Sequence, residues 1–244
     1  MLNLSADVPA AGRIDLVVVA GQPLVRRVMG VFEPDRGVHA QRFGFRRTGA
    51  HARAVVPAVI QTVAAALDDK DCIVSTTGMI SRELFEYRTA MNQGHERDFL
   101  TVGSMGHASQ IALGIALAQP ERRVWCFDGD GAAIMHMGSM AIVANKAPKN
   151  YVHVVFNNGA HDSVGGQPTV GLKIDLPAVA KAVGYKATIS VDNKEELVKQ
   201  LSTMKIEGPV LLEIKVKKGN RKDLGRPTTT PIENKEALMQ FLKK

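Results

Sequence analysis

The sequence predicts an α/β fold: a mostly parallel sheet with helices on both faces. Three observations carry this. From about residue 54 to the end, short apolar runs alternate with helix-length amphipathic segments. The runs are almost continuously apolar, as strands buried on both sides must be. Four of them end in clusters of glycine and polar residues, where open parallel sheets collect ligands: Thr76-Thr77-Gly78, Gly103 to Gly106, Gly129-Asp130-Gly131 and Asn157-Asn158-Gly159.

The elements follow in order. Ala54 to Leu67 is amphipathic at helical spacing. Cys72 to Thr77 is a short buried strand stopped by Gly78, and Ser81 is placed to N-cap a helix from Arg82 to about Met91. Phe99 to Val102 is strand-like, and Gly103 and Gly106 bound a turn. His107 to Ala118 is a small-residue helix ending before Pro120. Arg123 to Phe127 is a strand ended by Asp128-Gly129-Asp130-Gly131, and residues 133–145 form one helix. Tyr151 to Phe156 is the next strand. Helices near 176–183, 194–203 and 233–243 then alternate with strands at 186–191 and 209–216.

Composition excludes several classes. Apolar residues make up 45% and charged residues 23% of the 244, which excludes wholesale disorder. No apolar run reaches the roughly 20 residues of a membrane helix. The N-terminus has no basic n-region and Asp15 interrupts its best apolar run, so no signal peptide is expected and the chain is placed in the cytoplasm. Cys72 and Cys126 lie in apolar runs and read as small buried hydrophobes rather than a disulfide.

The net charge of +7 is unevenly spread. Residues 1–53 contain eight Arg, no Lys and four acids, so over half of the charge lies there. A compositional boundary near residue 53 follows, with an atypical Arg-rich leader ahead of a domain at 54–244. A nucleic-acid arm is one reading of that leader, and a poorly ordered or foreign segment is the other. Its arginines are scattered, with few aromatics between them for stacking, and neither nucleic acid nor membrane is expected as a partner.

The strongest local signal is Gly129-Asp130-Gly131, followed after 25 residues by Asn157-Asn158. Glycines permit close backbone approach, and N–H groups at a helix start favour phosphate. Asp130 offers a hard anionic oxygen of the kind Mg²⁺ prefers, and the Asn158 amide oxygen offers a second. An isolated Gly-Asp-Gly is otherwise a turn. The strand before it, the small-residue helix after it and the Asn pair at the next strand end point to the ligand site.

This pattern resembles the cofactor motif of thiamine-diphosphate enzymes, in their diphosphate-binding domain. Longer stretches resemble the C-terminal half of phosphonopyruvate decarboxylases and the related beta subunits of sulfopyruvate decarboxylases. They are Thr76 to Glu86, Asp98 to Ser109, Asn157 to Thr169 and Arg221 to Pro227, within roughly 190 of the 244 residues. The resemblance implies thiamine diphosphate and Mg²⁺ as cofactors. Asp130 and Asn158 would be side-chain metal ligands and the Ala160 carbonyl a third. Gly129 would belong to the same turn, and Gly131 and Ala132 would offer amides to the diphosphate. Thr77 and Gly78 would approach it from the first strand end, although Met79-Ile80 stand where more polar residues are usual. Gly103, with Ser104 beside it, would accept from the aminopyrimidine. Met105, otherwise a core filler, would be the wedge that bends the cofactor.

The implied reaction is decarboxylation of a small anionic 2-oxo acid, with phosphonopyruvate favoured over sulfopyruvate. His107 and His161 border the cofactor turns and are candidates for contact with substrate or a proton; each can equally cap a turn. Arg221, Lys222 and Arg226 can reach the substrate anion if the C-terminal loop folds back; a solvated basic face is the alternative. The family's activating glutamate belongs to a separate pyrimidine-binding domain, usually across a subunit interface. Residues 1–53 show no match to it, and Glu33 is not assigned the role. Three readings remain: a subunit completed by a pyrimidine-binding subunit or another copy, a truncated or fused decarboxylase, or an inactive cofactor-binding module.

Overall fold

The computed structural model of the chain describes residues 53–244. The Arg-rich leader expected over 1–53, Glu33 included, lies outside them except for Arg53. Six strands form one parallel sheet: β1 (Cys72–Ser75), β2 (Asp98–Leu100), β3 (Val124–Gly129), β4 (Tyr151–Asn157), β7 (Ala187–Val191) and β8 (Val210–Lys215), in the order β2-β1-β3-β4-β8-β7. Two-residue strands β5 (Ala160–His161) and β6 (Gln167–Pro168) make a separate antiparallel pair that local patterning did not predict.

The helices are α1 (Val56–Ala65), α2 (Met79–Ala90), α3 (Ala108–Ala118), α4 (Asp130–Met135), α5 (Gly138–Lys146), α6 (Leu176–Val183), α7 (Lys194–Thr203) and α8 (Pro231–Phe241). Successive strand residues point to opposite faces, so the inner strands feed two cores. Ile73, Phe127, Val154 and Leu212 pack with Ile60 of α1, Leu84 of α2 and Leu197 of α7. Val74, Cys126, Val155 and Leu211 pack on the other side with Ala112 of α3, Met140 of α5, Ala180 of α6 and Leu238 of α8. This is the expected parallel sheet covered on both faces. Both cysteines are buried and free, as expected, and burial pushes the Cys72 thiol up to about 12.

Several boundaries differ from local expectation. Ser81 does not cap α2. The chain turns at Gly78 (φ 111°), the helix starts at Met79, and the Ser81 hydroxyl inside it donates to the Thr76 carbonyl at 2.6 Å. The single helix expected over 133–145 is two, α4 and α5, because His136 leaves helical dihedrals (φ −129°, ψ 46°) between them. The last helix starts two residues early, where Thr230 and Glu233 form a capping box ahead of Pro231.

The β2 edge is closed by a side chain. Asn234 of α8 accepts from the Leu100 amide at 2.9 Å and donates to the Asp98 carbonyl at 2.8 Å, in the way a neighbouring strand would. On the opposite side, the Arg88 guanidinium of α2 meets the Asp98 carboxylate through two hydrogen bonds of 2.8 and 3.1 Å, with both side chains about 1% exposed. No helix among the described residues is long and apolar enough to cross a membrane.

Strand order positions the site. The chain passes from β1 to β2 on one side, then returns through α3 to β3 on the other. The direction of winding reverses between β1 and β3. Crossovers on either side leave a crevice at the carboxyl ends of these two strands.

Candidate functional site

A cavity opens at that reversal, lined among others by Thr76, Thr77, Met105, Asp130, Asn158 and His161. Its floor is the join of β3 and α4. The strand runs through Gly129 and the helix begins at Asp130, so the Gly-Asp-Gly motif straddles the strand end as ligand-binding turns do in such sheets. Gly131 is required for space. A Cβ there would lie 2.4 Å from the His161 ring.

Asp130 is buried, and burial raises its carboxyl above the ordinary 3.8 by penalising the charged form. The Thr169 hydroxyl, which donates to its Oδ2, and the amides of Asn158 and Gly131 pull the other way. A cation beside this group would remove the penalty. Asn158 holds its own turn: its Oδ1 accepts from the Ala160 amide at 2.9 Å, and its Nδ2 donates to Asp162 at 2.7 Å. Asp130, Asn158 and Ala160 all line this cavity, and a carboxylate, an amide oxygen and a carbonyl from them would make a hard oxygen set that suits Mg²⁺. Thr76 adds a fit of a different kind. Its residue is 3% exposed, its Oγ1 has no partner among the described residues, and it lines the same cavity, which leaves a hydroxyl for a polar ligand.

Sequence reasoning missed the support beneath this set. Asn157 turns away from the cavity and donates to the Gly171 carbonyl at 2.8 Å and to Glu213 at 2.7 Å, while its Oδ1 accepts from the Gly159 amide at 3.2 Å. Glu213, buried on β8, also accepts from Ser190 at 2.6 Å. Thr169 and Gly171 return from the β5–β6 excursion to close over Asp130. A Cβ on Gly171 would lie 2.3 Å from Asp130 Oδ2 and 2.8 Å from Asn157 Oδ1. Gly171→Ala should consequently weaken Mg²⁺-dependent binding of thiamine diphosphate by about tenfold, as displaced ligand supports do. Calorimetric titration of the two proteins checks this, and equal affinities would show that the closure does not matter.

The turn after β2 is strained. Gly103 (φ 71°), Ser104 (φ 45°) and Gly106 (φ 87°) all occupy left-handed backbone, and Ser104 does so with a side chain. Nothing lies within 4 Å of a Cβ on Gly103, so its glycine answers to conformation rather than space. The turn delivers Met105 into the cavity. The two candidate histidines separate. His161 lines the cavity, whereas His107 is exposed, bonded through Nδ1 to the Ser104 carbonyl at 3.1 Å and packed on His136 with centroids 4.2 Å apart.

The C-terminal loop does fold back over α2. Arg221 meets the buried Glu83 at 3.0 Å and also bonds Glu86, and these carboxylates hold its guanidinium more firmly charged. The Gly225 amide adds a bond to Glu86 at 2.6 Å, and Arg221 with that amide keeps the Glu86 carboxyl below its usual range. The Arg221 charge is thus taken up within the chain. Lys222 is exposed, and Gly219 and Asn220 line the cavity.

Residues 76–214 match the family model for the thiamine pyrophosphate enzyme C-terminal TPP binding domain. The chain is 38% identical over 227 residues to a phosphonopyruvate decarboxylase of Streptomyces viridochromogenes, a match covering 92% of this chain and 54% of that protein. It is 39% identical to one from Streptomyces hygroscopicus, over 80% of this chain and 48% of that protein. The chain therefore spans about half the length of these curated relatives. Against the sulfopyruvate decarboxylase subunit beta of Methanothermobacter thermautotrophicus it is 35% identical, covering 75% of this chain and 91% of the subunit. A thiamine diphosphate-dependent 4-hydroxybenzoylformate decarboxylase from Rhodococcus jostii RHA1 shares the fold at a TM-score of 0.55 and 20% identity, over 71% of this chain and 34% of the other.

Proposed function

Because the chain belongs to the thiamine pyrophosphate enzymes through their C-terminal TPP binding domain, we propose that it is the diphosphate-binding part of a Mg²⁺-dependent phosphonopyruvate decarboxylase. The observation that carries this reading is the buried Asp130 carboxylate, set beside Asn158 and Ala160 in the cavity at the sheet's reversal. Identities of 38% and 39% to two phosphonopyruvate decarboxylases support the substrate.

In this reading Asp130, Asn158 and the Ala160 carbonyl hold Mg²⁺ by oxygen. The amides of Gly131 and Ala132 face the diphosphate, with Gly129 making the close approach. Thr77 and Gly78 border it from the end of β1, and the Thr76 hydroxyl finds there the partner it lacks. Gly103 and Ser104 orient the pyrimidine, and Met105 sets the cofactor's bend. When bound, thiamine diphosphate supplies the electron sink for loss of CO₂ from a 2-oxo acid. His161 rather than His107 handles a proton in this reading, which is supported by the presence of His161, and not His107, in the cavity lining. The product from phosphonopyruvate is phosphonoacetaldehyde.

The activating glutamate comes from a pyrimidine-binding domain on another chain. The reading places the protein in the cytoplasm, where two buried thiols stay reduced. A second reading, a sulfopyruvate decarboxylase beta-type subunit, is favoured by the 91% share of such a subunit that the chain covers. One experiment decides between them. The purified chain is assayed with Mg²⁺, thiamine diphosphate and each 2-oxo acid, alone and with the product of the neighbouring reading frame. We expect turnover only in the mixture and faster on phosphonopyruvate. Faster turnover on sulfopyruvate selects the second reading, activity of the chain alone removes the need for a partner, and cofactor binding without turnover identifies an inactive module.

A further inference from the structure

A second cavity of about 410 Å³ adjoins the first. The two share Thr77, Met105 and Ser163. The second is walled by α2, the turn after β2, and the loop that leads into α8. Its lining contains two arginines, Arg82 and Arg226, and no Asp or Glu. Among the described residues, Arg88, Arg97, Arg123 and Arg221 all form ion pairs with carboxylates. Arg82 and Arg226 form none, although Arg82 is half-buried on a helix that also carries Glu83 and Glu86. Arg122 has none either, but its guanidinium lies over the Phe241 ring and donates to the Lys70 carbonyl.

We propose that this second cavity is the subsite for the tetrahedral anion of the substrate, gripped by Arg82 and Arg226. The proposal rests on the decarboxylase reading above and adds to it the residues that select the substrate. Two arginines with no carboxylate partner among the described residues line one acid-free cavity and leave positive charge there, and guanidinium forks match phosphonate and sulfonate oxygens in geometry as well as charge. The Thr229 hydroxyl in the same lining is shielded from solvent and has no hydrogen-bond partner among the described residues. The α2 N-terminus borders the cavity, and its N-cap, Gly78, brings no side-chain acceptor to the first-turn amides.

Position agrees with charge. Met105 stands between the cavities, so a 2-oxo acid whose keto carbon reacts in the first can extend its far end into the second. The loop arginines then divide their work. Arg221 is bound to Glu83 and Glu86 and fixes the loop on α2, while Gly225, also held by Glu86, delivers Arg226 to the cavity wall. Arg221 is a positioning residue, and Arg82 and Arg226 make the contact.

The test uses the full chain with saturating Mg²⁺ and thiamine diphosphate, titrated by calorimetry with phosphonoacetate, sulfoacetate and acetate as probes. We expect phosphonoacetate and sulfoacetate to bind and acetate not to. Each of Arg82→Gln and Arg226→Gln should weaken binding of the first two by about tenfold, the effect of losing a charge-assisted hydrogen bond. Arg82→Lys should retain part of the affinity. Arg226 is exposed, so its variant decides the matter even if Arg82→Gln fails to fold. A wild-type chain that ignores phosphonoacetate, or variants that bind it as tightly as wild type, would overturn the subsite. Cofactor affinity, titrated separately, keeps the two proposals apart. Unchanged probe binding in the variants beside normal cofactor binding defeats the subsite alone. Arg-dependent probe binding by a chain that takes no cofactor defeats the decarboxylase reading alone.

Discussion

Asp130→Ala should abolish Mg²⁺-dependent binding of thiamine diphosphate, with an expected loss on the order of a hundredfold or more, while the apo chain remains folded. In the proposed oxygen set with Asn158 and Ala160 this carboxylate is the one full negative charge, so no remaining ligand would neutralise the ion. Its loss should not harm the apo fold, because burial already penalises the ionised form. The sign follows from linkage. A carboxyl raised above 3.8 by folding contributes stability at low pH and loses it as pH rises through the raised value. At neutral pH the ionised group is therefore a liability that Mg²⁺ relieves. Mg²⁺ should raise the melting temperature of the wild-type chain at pH 8, raise it less as pH falls and the proton competes, and leave Asp130→Ala unmoved. Titration of the cofactor with and without EDTA gives the affinity, and scanning calorimetry gives the shift. Equal cofactor affinity in the variant and wild type would remove Asp130 from the metal site.

The largest effect on stability is expected at the Arg88–Asp98 pair. Both side chains are about 1% exposed, and a third guanidinium bond goes to Gln93 at 2.8 Å. Asp98→Ala leaves the arginine charged, buried and without its carboxylate, which should lower the free energy of unfolding by about 3–5 kcal/mol. Removing both charges should be far milder, since an apolar pair of similar volume avoids the desolvation penalty. The double variant Arg88→Met with Asp98→Leu should thus recover most of the loss. Urea unfolding of the three proteins measures it. If Asp98→Ala costs less than about 1 kcal/mol, well below the penalty for a stranded buried charge, the pair is not sealed from water.

Much of the architecture could be read along the chain because its causes are local. The apolar runs at Tyr151 to Phe156 and Val210 to Lys215 carry their burial in consecutive residues. Glycines mark the strand ends because close approach and left-handed backbone are demands on single positions. Where expectation and structure parted, the deciding partner was distant or the local signal was ambiguous. Ser81 has the chemistry of a helix cap, yet its hydroxyl is claimed by the Thr76 carbonyl across the Gly78 turn. The residues 133–145 have helical composition throughout, but nothing in that pattern marks His136 as the break. Arg221 and Arg226 look alike as basic residues five apart, and only the position of Glu83 and Glu86 separates their roles.

The sequence by itself determined the parallel sheet, the four glycine-marked strand ends and the place of Asp130 and Asn158 at two of them. Those depend on side-chain periodicity and on which residues tolerate a tight turn, and both are properties of neighbours in the chain. Tertiary structure alone decided what surrounds these residues. Thr169 reaches Asp130 from 39 residues away, Glu213 holds Asn157 from 56, and Arg226 joins Arg82 at one cavity only after the loop has folded back. Each arrangement is a balance of desolvation against a partner delivered by the fold. A linear pattern records which groups are charged, and only packing determines which of those charges are left for a ligand.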